Sequence, residues 1–213
     1  MDRSEIALKL GQRFARLVTN AVVRWPVLWR LLRTPFRRQF ERLAPRWDSL
    51  RGPHGLDPFE RALDALPEPP RRALDLGTGT GAGAFAIARH FPDAEVVGVD
   101  LAEAMVAEAR RKTPPDLSGR VRFEVGDAAR LPFEDRAFDL VALANMIPFF
   151  DELARLVAPG GTAVFGFSLG AATPIYVPPE RLRRELGRRG FSEFQEVSAA
   201  RGSALVARKR TSD

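Results

Sequence analysis

From residue 72 onward, short apolar runs alternate with segments whose apolar residues recur at helical spacing. Arg72–Leu76, Glu95–Val99, Val121–Val125, Phe138–Ala144 and Thr162–Phe167 read as strands. Gly83–His90, Ala102–Lys112 and Asp151–Val157 read as helices between them. This alternation predicts a parallel sheet with helices on both faces. The end of the chain departs from it. A helix over Pro179–Arg189, bearing Leu182 and Leu186, is followed by strands Phe191–Val197 and Ser203–Arg208, joined at Ala200-Arg201-Gly202. The expected fold is therefore α/β: a doubly wound, mostly parallel, seven-stranded sheet ending in an antiparallel β-hairpin, with an N-terminal helical extension.

That extension has its own pattern. On a helical wheel Phe14, Val18, Ala21, Val22, Trp25, Trp29, Leu32 and Phe36 share one face, opposite Arg13, Arg16, Arg30, Arg33, Arg37 and Arg38. Val23 and Val27 violate the pattern, and Pro26 and Pro35 are expected to kink or divide the helix. Two or three short amphipathic helices follow. Gly52-Pro53-His54-Gly55 and Pro67-Glu68-Pro69-Pro70 are breaker clusters around a helix over Asp57–Leu66, with Asp57 as N-cap and Pro58 at its first position. The domain reading is an extension or lid over residues 1–50 and a main domain over 51–213.

Charge sharpens this division. Residues 1–50 carry eleven basic and four acidic side chains, whereas the remaining 163 carry 22 and 23, so the whole surplus of the +6 chain lies in the arm. Between Glu5 and Glu41 there is no acidic residue. Two partners suit such an arm: the main domain, with the arginines solvated, or an anionic membrane surface touching residues 6–40, with Trp25 and Trp29 at headgroup depth. A third is nucleic acid, which a near-neutral body disfavours. No run reaches the roughly 18 apolar residues of a membrane span, and arginines interrupt any signal-peptide core. The chain has no cysteine and two histidines, His54 and His90. Thiolate zinc sites, iron–sulfur clusters, cysteine nucleophiles and histidine-rich metal sites are thereby excluded, and no metal is expected. The expected location is cytoplasmic, peripheral on the inner membrane face if the arm docks there.

The chemistry lies in Ala73-Leu74-Asp75-Leu76-Gly77-Thr78-Gly79-Thr80-Gly81-Ala82-Gly83, where a strand runs into a glycine-rich turn and then a helix. Glycines let the backbone approach a ligand, and the helix start offers unpaired N–H groups. Alone this marks a generic nucleotide site. A dinucleotide fingerprint can be forced only as Gly79-x-Gly81-x-x-Ala84. Asp100, ending the next strand, suits a ribose diol, because a carboxylate accepts from two hydroxyls.

At this point the chain resembles the class I S-adenosylmethionine-dependent methyltransferases, a Rossmann-like family, and especially its small quinone-biosynthesis-like members. Asp75 with Gly77, Gly79 and Gly81 matches the family's D-x-G-x-G-x-G, and Asp100 its second-strand acid. Gly126-Asp127-Ala128 with Leu131-Pro132-Phe133, Phe138-Asp139-Leu140-Val141, and Leu156-Val157-Ala158-Pro159-Gly160-Gly161 match later signatures. The resemblance spans about residues 40–210, and Phe40–Asp48 is similar to the segment that covers the cofactor in such enzymes. It implies S-adenosyl-L-methionine as cofactor, with Asp75 toward the methionine amino group directly or through water, Asp127 on the adenine amino group and Ala128 supplying a backbone N–H. Thr78, Leu101 and Asn145 complete the implied cofactor set.

For catalysis the resemblance implies methyl transfer to a small acceptor. Where many relatives carry a histidine, this chain reads Asn145-Met146-Ile147-Pro148-Phe149-Phe150, whose apolar residues suit a hydrophobic or lipid-like acceptor. No base is evident, so proximity is the expected source of rate. Asn145 and Tyr176, the lone tyrosine, in a proline-stiffened loop, are the catalytic candidates. A non-catalytic cofactor-binding protein and an RNA methyltransferase using the basic arm remain the alternatives.

Overall fold

Residues 3–52 and 54–211 are described by a computed structural model, with side chains from residue 10 onward. Pro53 of the first breaker cluster and the side chains of residues 6–9 in the arm lie outside the described residues. The helices are α1 (Arg3–Arg24), α2 (Trp29–Leu43), α3 (Trp47–Arg51), α4 (Asp57–Asp64), α5 (Ala82–His90), α6 (Glu103–Lys112), α7 (Phe150–Leu156) and α8 (Pro179–Gly187). The strands are β1 (Arg72–Leu76), β2 (Glu95–Asp100), β3 (Val121–Val125), β4 (Phe138–Ala144), β5 (Val157–Phe167), β6 (Phe191–Ala199) and β7 (Gly202–Lys209).

All seven strands form one sheet in the order β3-β2-β1-β4-β5-β7-β6. β1 to β5 run parallel, and β7 lies antiparallel between β5 and β6. The strand order reverses between β1 and β4, and a crevice opens there at the carboxyl ends of the strands. Alternate side chains feed two cores, as a pleated strand requires. Leu74, Leu76, Val97, Val99, Val141 and Leu143 join the layer containing α7, α8 and the arm. Ala73, Val96, Leu140, Ala142 and Val164 join the layer containing α4, α5 and α6.

Several expectations shift locally. β5 begins at Val157 rather than Thr162, because Val157 already pairs with Phe138 across an irregularity before Leu140 meets Thr162. Leu56, not Asp57, is the N-cap of α4, and the Asp57 carboxylate instead lies 3.0 Å from His54 Nδ1. Pro26 does divide the arm, through a 3-10 turn over Pro26–Leu28, whereas Pro35 sits inside α2 without ending it. The hydrogen bond Pro35 removes would have involved the carbonyl of exposed Leu31, which water can satisfy, and buried Phe36 holds the next position down.

The arm packs on the main domain through Ala15, Val18, Val22, Trp29 and Phe36. Arg16 Nη2 donates to the carbonyls of Ala171 (3.1 Å) and Thr173 (2.9 Å), and Arg181 Nη2 to that of Val23 (2.8 Å). The common face expected for Trp25 and Trp29 does not survive. The turn at Pro26 puts them on different sides, leaving Trp25 54% exposed and Trp29 only 4%. Trp29 is therefore not at a surface where it could meet headgroups.

Candidate cofactor site

The loop after β1 is pinned before any ligand arrives. The N–H groups of Gly77 and Thr78 both donate to the Val99 carbonyl, at 2.8 and 2.9 Å. The chain then passes through left-handed geometry at Gly77 (φ 75°) and Gly79 (φ 54°), where a side chain would be strained. Space forbids one too. A Cβ on Gly77 would lie 2.6 Å from Met146 Sδ, and one on Gly79 2.9 Å from Trp47 Nε1. Gly81 then caps α5 against Phe85 and Phe123.

The carboxylates divide by position. Asp100 lines the cleft beside Gly77, Gly79, Leu101 and Ala102. Its Oδ2 accepts the Gly79 N–H and its Oδ1 the Ala102 N–H, both at 2.9 Å, which ties β2 to the glycine loop. Each oxygen keeps a further lone pair for a diol. Burial pushes this carboxyl up to about 6, against the pull of the two backbone donors and with a small addition from Glu41. Asp75 does not line the cleft. Its Oδ2 accepts the Thr78 hydroxyl at 2.6 Å, the Ala84 N–H supports it, and desolvation pushes it up to about 6 as well. Asp75 and Thr78 thus lock the loop from below, under the first turn of α5.

On the other side of the crevice Asn145 adopts φ 53°, donates its N–H to the Gly166 carbonyl (2.8 Å) and accepts the Ser168 N–H on Oδ1 (2.9 Å). This joins the ends of β4 and β5 and leaves the amide NH2 as the group Asn145 offers to the cleft it lines. Ala128 also lines it. Asp127 stands at the rim, where its Oδ1 accepts the Ala129 N–H (3.0 Å) and the Trp29 indole N–H (2.7 Å), with Arg33 at 3.5 Å from Oδ2. Tyr176 is half-buried with its ring edge-on to Phe167 at 5.0 Å, and Ile175 lines the cleft in its place. Burial first, then Glu180 and Glu196, raise the phenol above its ordinary value, which makes it a poor base. His54 and His90 lie outside the cleft, each beside an aspartate.

Sequence reasoning expected a cover, in the arm and Phe40–Asp48, but did not name the aromatic residues that line it. Trp29, Phe36, Phe40 and Trp47 all line the cleft, and successive ring centroids stand 5.5, 4.8 and 5.3 Å apart. Their spacing of seven, four and seven residues puts them on one helical face, a signal the chain carried. Glu41, between Phe40 and Trp47, accepts the Glu103 and Ala104 N–H groups (3.0 and 3.1 Å) and so caps α6 from outside. Asp48 accepts the Thr80 hydroxyl and the Lys112 ammonium, both at 2.6 Å. The free space within the cleft is only about 40 Å³, well below the roughly 300–1,000 Å³ of small-molecule sites, because the aromatic roof packs down onto its floor.

The glycine cradle, the diol-ready Asp100 and the aromatic cover fit an adenosyl group, and no trio of His, Cys, Asp or Glu among the described residues gathers as a metal cluster would. Residues 73–161 match a family described as "Methyltransferase domain". Over 138 residues the chain is 44% identical to the demethylmenaquinone methyltransferase of Thermus thermophilus, covering 59% of this chain and 62% of that protein. It is 36% identical over 140 residues to the malonyl-[acyl-carrier protein] O-methyltransferase of Halorhodospira halophila, covering 61% and 46%. The chain thus spans between about half and two thirds of the length of these relatives. Among solved structures, human N-acetylserotonin methyltransferase in complex with S-adenosylmethionine superposes with a TM-score of 0.63 at 19% identity, over 86% of this chain and 58% of that one, a likeness of fold. In motif, strand order and sequence this chain resembles the class I S-adenosylmethionine-dependent methyltransferases, and residues 73–161 are the part that matches the methyltransferase domain.

Proposed function

We propose that the chain transfers a methyl group from S-adenosylmethionine to a small, hydrophobic or lipid-like acceptor. The observation that carries this reading is a polar floor under an apolar roof. Asp100 and the Gly77–Gly79 backbone line the polar side of the cleft, while Trp29, Phe36, Phe40 and Trp47 cover them. When bound, the cofactor supplies a methyl group on a charged sulfonium. The protein's work is then to bind, align and keep water out. Asp100 accepts from the ribose hydroxyls, Asp127 from the adenine amino group, and the Ala128 N–H donates to the ring. Leu101 packs beside the ribose. Asp75 acts through Thr78 and the loop, and Asn145 orients the acceptor with its amide. Tyr176, packed on Phe167, acts through the loop that carries Ile175. With neither histidine in the cleft, the acceptor is one that needs little deprotonation. The names of the relatives, one for demethylmenaquinone and one for malonyl-[acyl-carrier protein], support that class.

Calorimetry with S-adenosylmethionine tests this reading. Asp100→Ala is expected to weaken binding at least tenfold, since a hydrogen bond to a charged group is worth about 1.5–3 kcal/mol. Unchanged affinity would remove Asp100 from the site, and no binding by the native chain would remove the activity. The transferred group is then sought as a gain of one methylene in lipid extracts.

We further read the arm as a lid that docks on an anionic membrane surface. Leu17, Trp25, Val27 and Leu31 are 68, 54, 67 and 75% exposed, and the neighbouring Arg13, Arg24 and Arg30 are exposed as well. Apolar side chains set among cations suit lipid better than RNA phosphates. None of the described helices is long and apolar enough to cross a membrane, so contact at the surface, from the cytoplasmic side, is the form proposed.

A further inference from the structure

Besides Glu41 on α6 and Asp48 on Thr80 and Lys112, the roof is fastened at Asp127, where Arg33 also stands 3.5 Å from Oδ2. The Trp29 indole N–H reaches Asp127 Oδ1 at 2.7 Å, in a bond between a neutral donor and an ionisable acceptor. Around it the indole is 4% exposed, edge-on to Phe36 at 5.5 Å and to Phe149 at 5.2 Å. The same ring lines the cleft, next to Ala128 and Gly126. Indole and adenine are alike here: each is a flat bicycle that presents an N–H donor at its edge. Trp29 thus fills, with matching shape and hydrogen bonding, the place a purine would take against Asp127.

Neighbouring residues repeat the pattern. Trp47 Nε1 crowds Gly79 and Met146 Sδ crowds Gly77, so the backbone cradle is covered by side chains of the chain itself. The helix that carries Trp29, with Phe36 and Phe40, has weakly fixed ends, and Trp47 lies beyond the second of them in α3. α2 is bounded by 3-10 turns at Pro26–Leu28 and Ala44–Arg46, each with a proline, and neither its N-cap nor its C-cap carries a side-chain hydrogen bond.

We infer that Trp29 is an internal purine mimic: it occupies the adenine position on Asp127, and cofactor binding requires α2 to release that contact. The inference rests on the cofactor reading given above and adds a residue and a step to it. A site whose competent form is only partly populated binds with an affinity reduced by that fraction. Weakening the internal contact should therefore tighten binding of the ligand.

The test is Trp29→Phe, which keeps an aromatic ring among Phe36 and Phe149 and removes only the donor and part of the bulk. Titration with S-adenosylhomocysteine should give binding three- to tenfold tighter than in the native chain, with faster association. In the native protein, the 15N-labelled indole N–H resonance of Trp29 should shift or broaden as the ligand is added, while that of exposed Trp25 stays put. Equal or weaker binding by Trp29→Phe, with the Trp29 resonance unmoved, would overturn the gate while leaving the cofactor reading intact. Weaker binding with a shifted resonance would also overturn it, making Trp29 a wall of the bound state instead. No binding by either protein would overturn the cofactor reading and the gate together.

Discussion

The two walls of the cleft hold their shape by different means. The floor is backbone: Gly77 and Thr78 hang from the Val99 carbonyl, Asp100 bridges Gly79 and Ala102, and Asn145 bridges β4 to β5. The roof is side chain: four aromatic rings of the arm, one indole bond to Asp127, and a glutamate capping α6 from outside. A wall fixed by many short backbone hydrogen bonds cannot shift without opening the sheet. A wall fixed by apolar contact along one helix can lift as a body, because dispersion and burial are lost gradually and restored on return. On the proposed function, entry then belongs to the roof and recognition to the floor.

The largest expected effect breaks the roof alone. Phe36 is buried at the centre of the ladder, between Trp29 and Phe40. Phe36→Ala should cost about 3–5 kcal/mol of packing. If the roof is a separate unit, that loss appears as release of the arm rather than as global unfolding. Limited trypsin digestion at the exposed Arg33, Arg37 and Arg38 should accelerate about a hundredfold, while the far-ultraviolet circular dichroism of the sheet persists. Loss of the whole fold at the same temperature would instead make floor and roof one cooperative body.

The same division governs what the sequence made legible. The floor was readable because its geometry demands particular residue types: glycine where φ is positive at Gly77 and Gly79, a short acid at the end of β2, and apolar runs in every strand. The parallel sheet and the terminal hairpin followed from the same alternation, though the strand order did not. The roof was readable as a cover but not in its lining, since Trp29, Phe36 and Phe40 need only be large and apolar, and such residues serve a core, a lid or a bilayer equally well. The break at Pro26 decided which surface each tryptophan joined, and a wheel drawn through it merged them. Asp75 was misplaced for a related reason: a motif fixes which residue is present, not whether its carboxylate faces the ligand or, as here, Thr78 and Ala84.

A smaller effect sharpens the account of the floor through pH. Burial holds both Asp75 and Asp100 near 6, above the roughly 3.9 of an unfolded aspartate. A carboxyl whose folded value is raised favours folding while protonated, and that advantage disappears as pH rises through about 6. Thermal stability should therefore climb as pH is lowered from 7 toward 5, and Asp75→Asn should flatten the climb. Cofactor affinity should run the other way, because the ribose hydroxyls need the ionised Asp100 as acceptor. Stability falling on acidification would mean that the two acids titrate below the unfolded value, and that the floor is less dry than its burial implies.

The smallest effect concerns the outer side of the roof, where Trp25 and Leu31 are exposed and touch nothing of the cleft. Replacing both with serine should leave unfolding free energy within about 0.5 kcal/mol, as at ordinary surface sites, and leave cofactor affinity unchanged. Co-sedimentation with vesicles containing phosphatidylglycerol should nonetheless fall several-fold, since each side chain would bury roughly 1.5–3 kcal/mol of apolar surface in the interface. Binding by the native chain should weaken as salt rises, the arginines acting over a screening length of about 10 Å at 0.1 M. Equal pelleting of the double variant would assign the arm's attraction to charge alone. No pelleting of the native chain would leave the roof facing water on its outer side, and its two faces would then share no function.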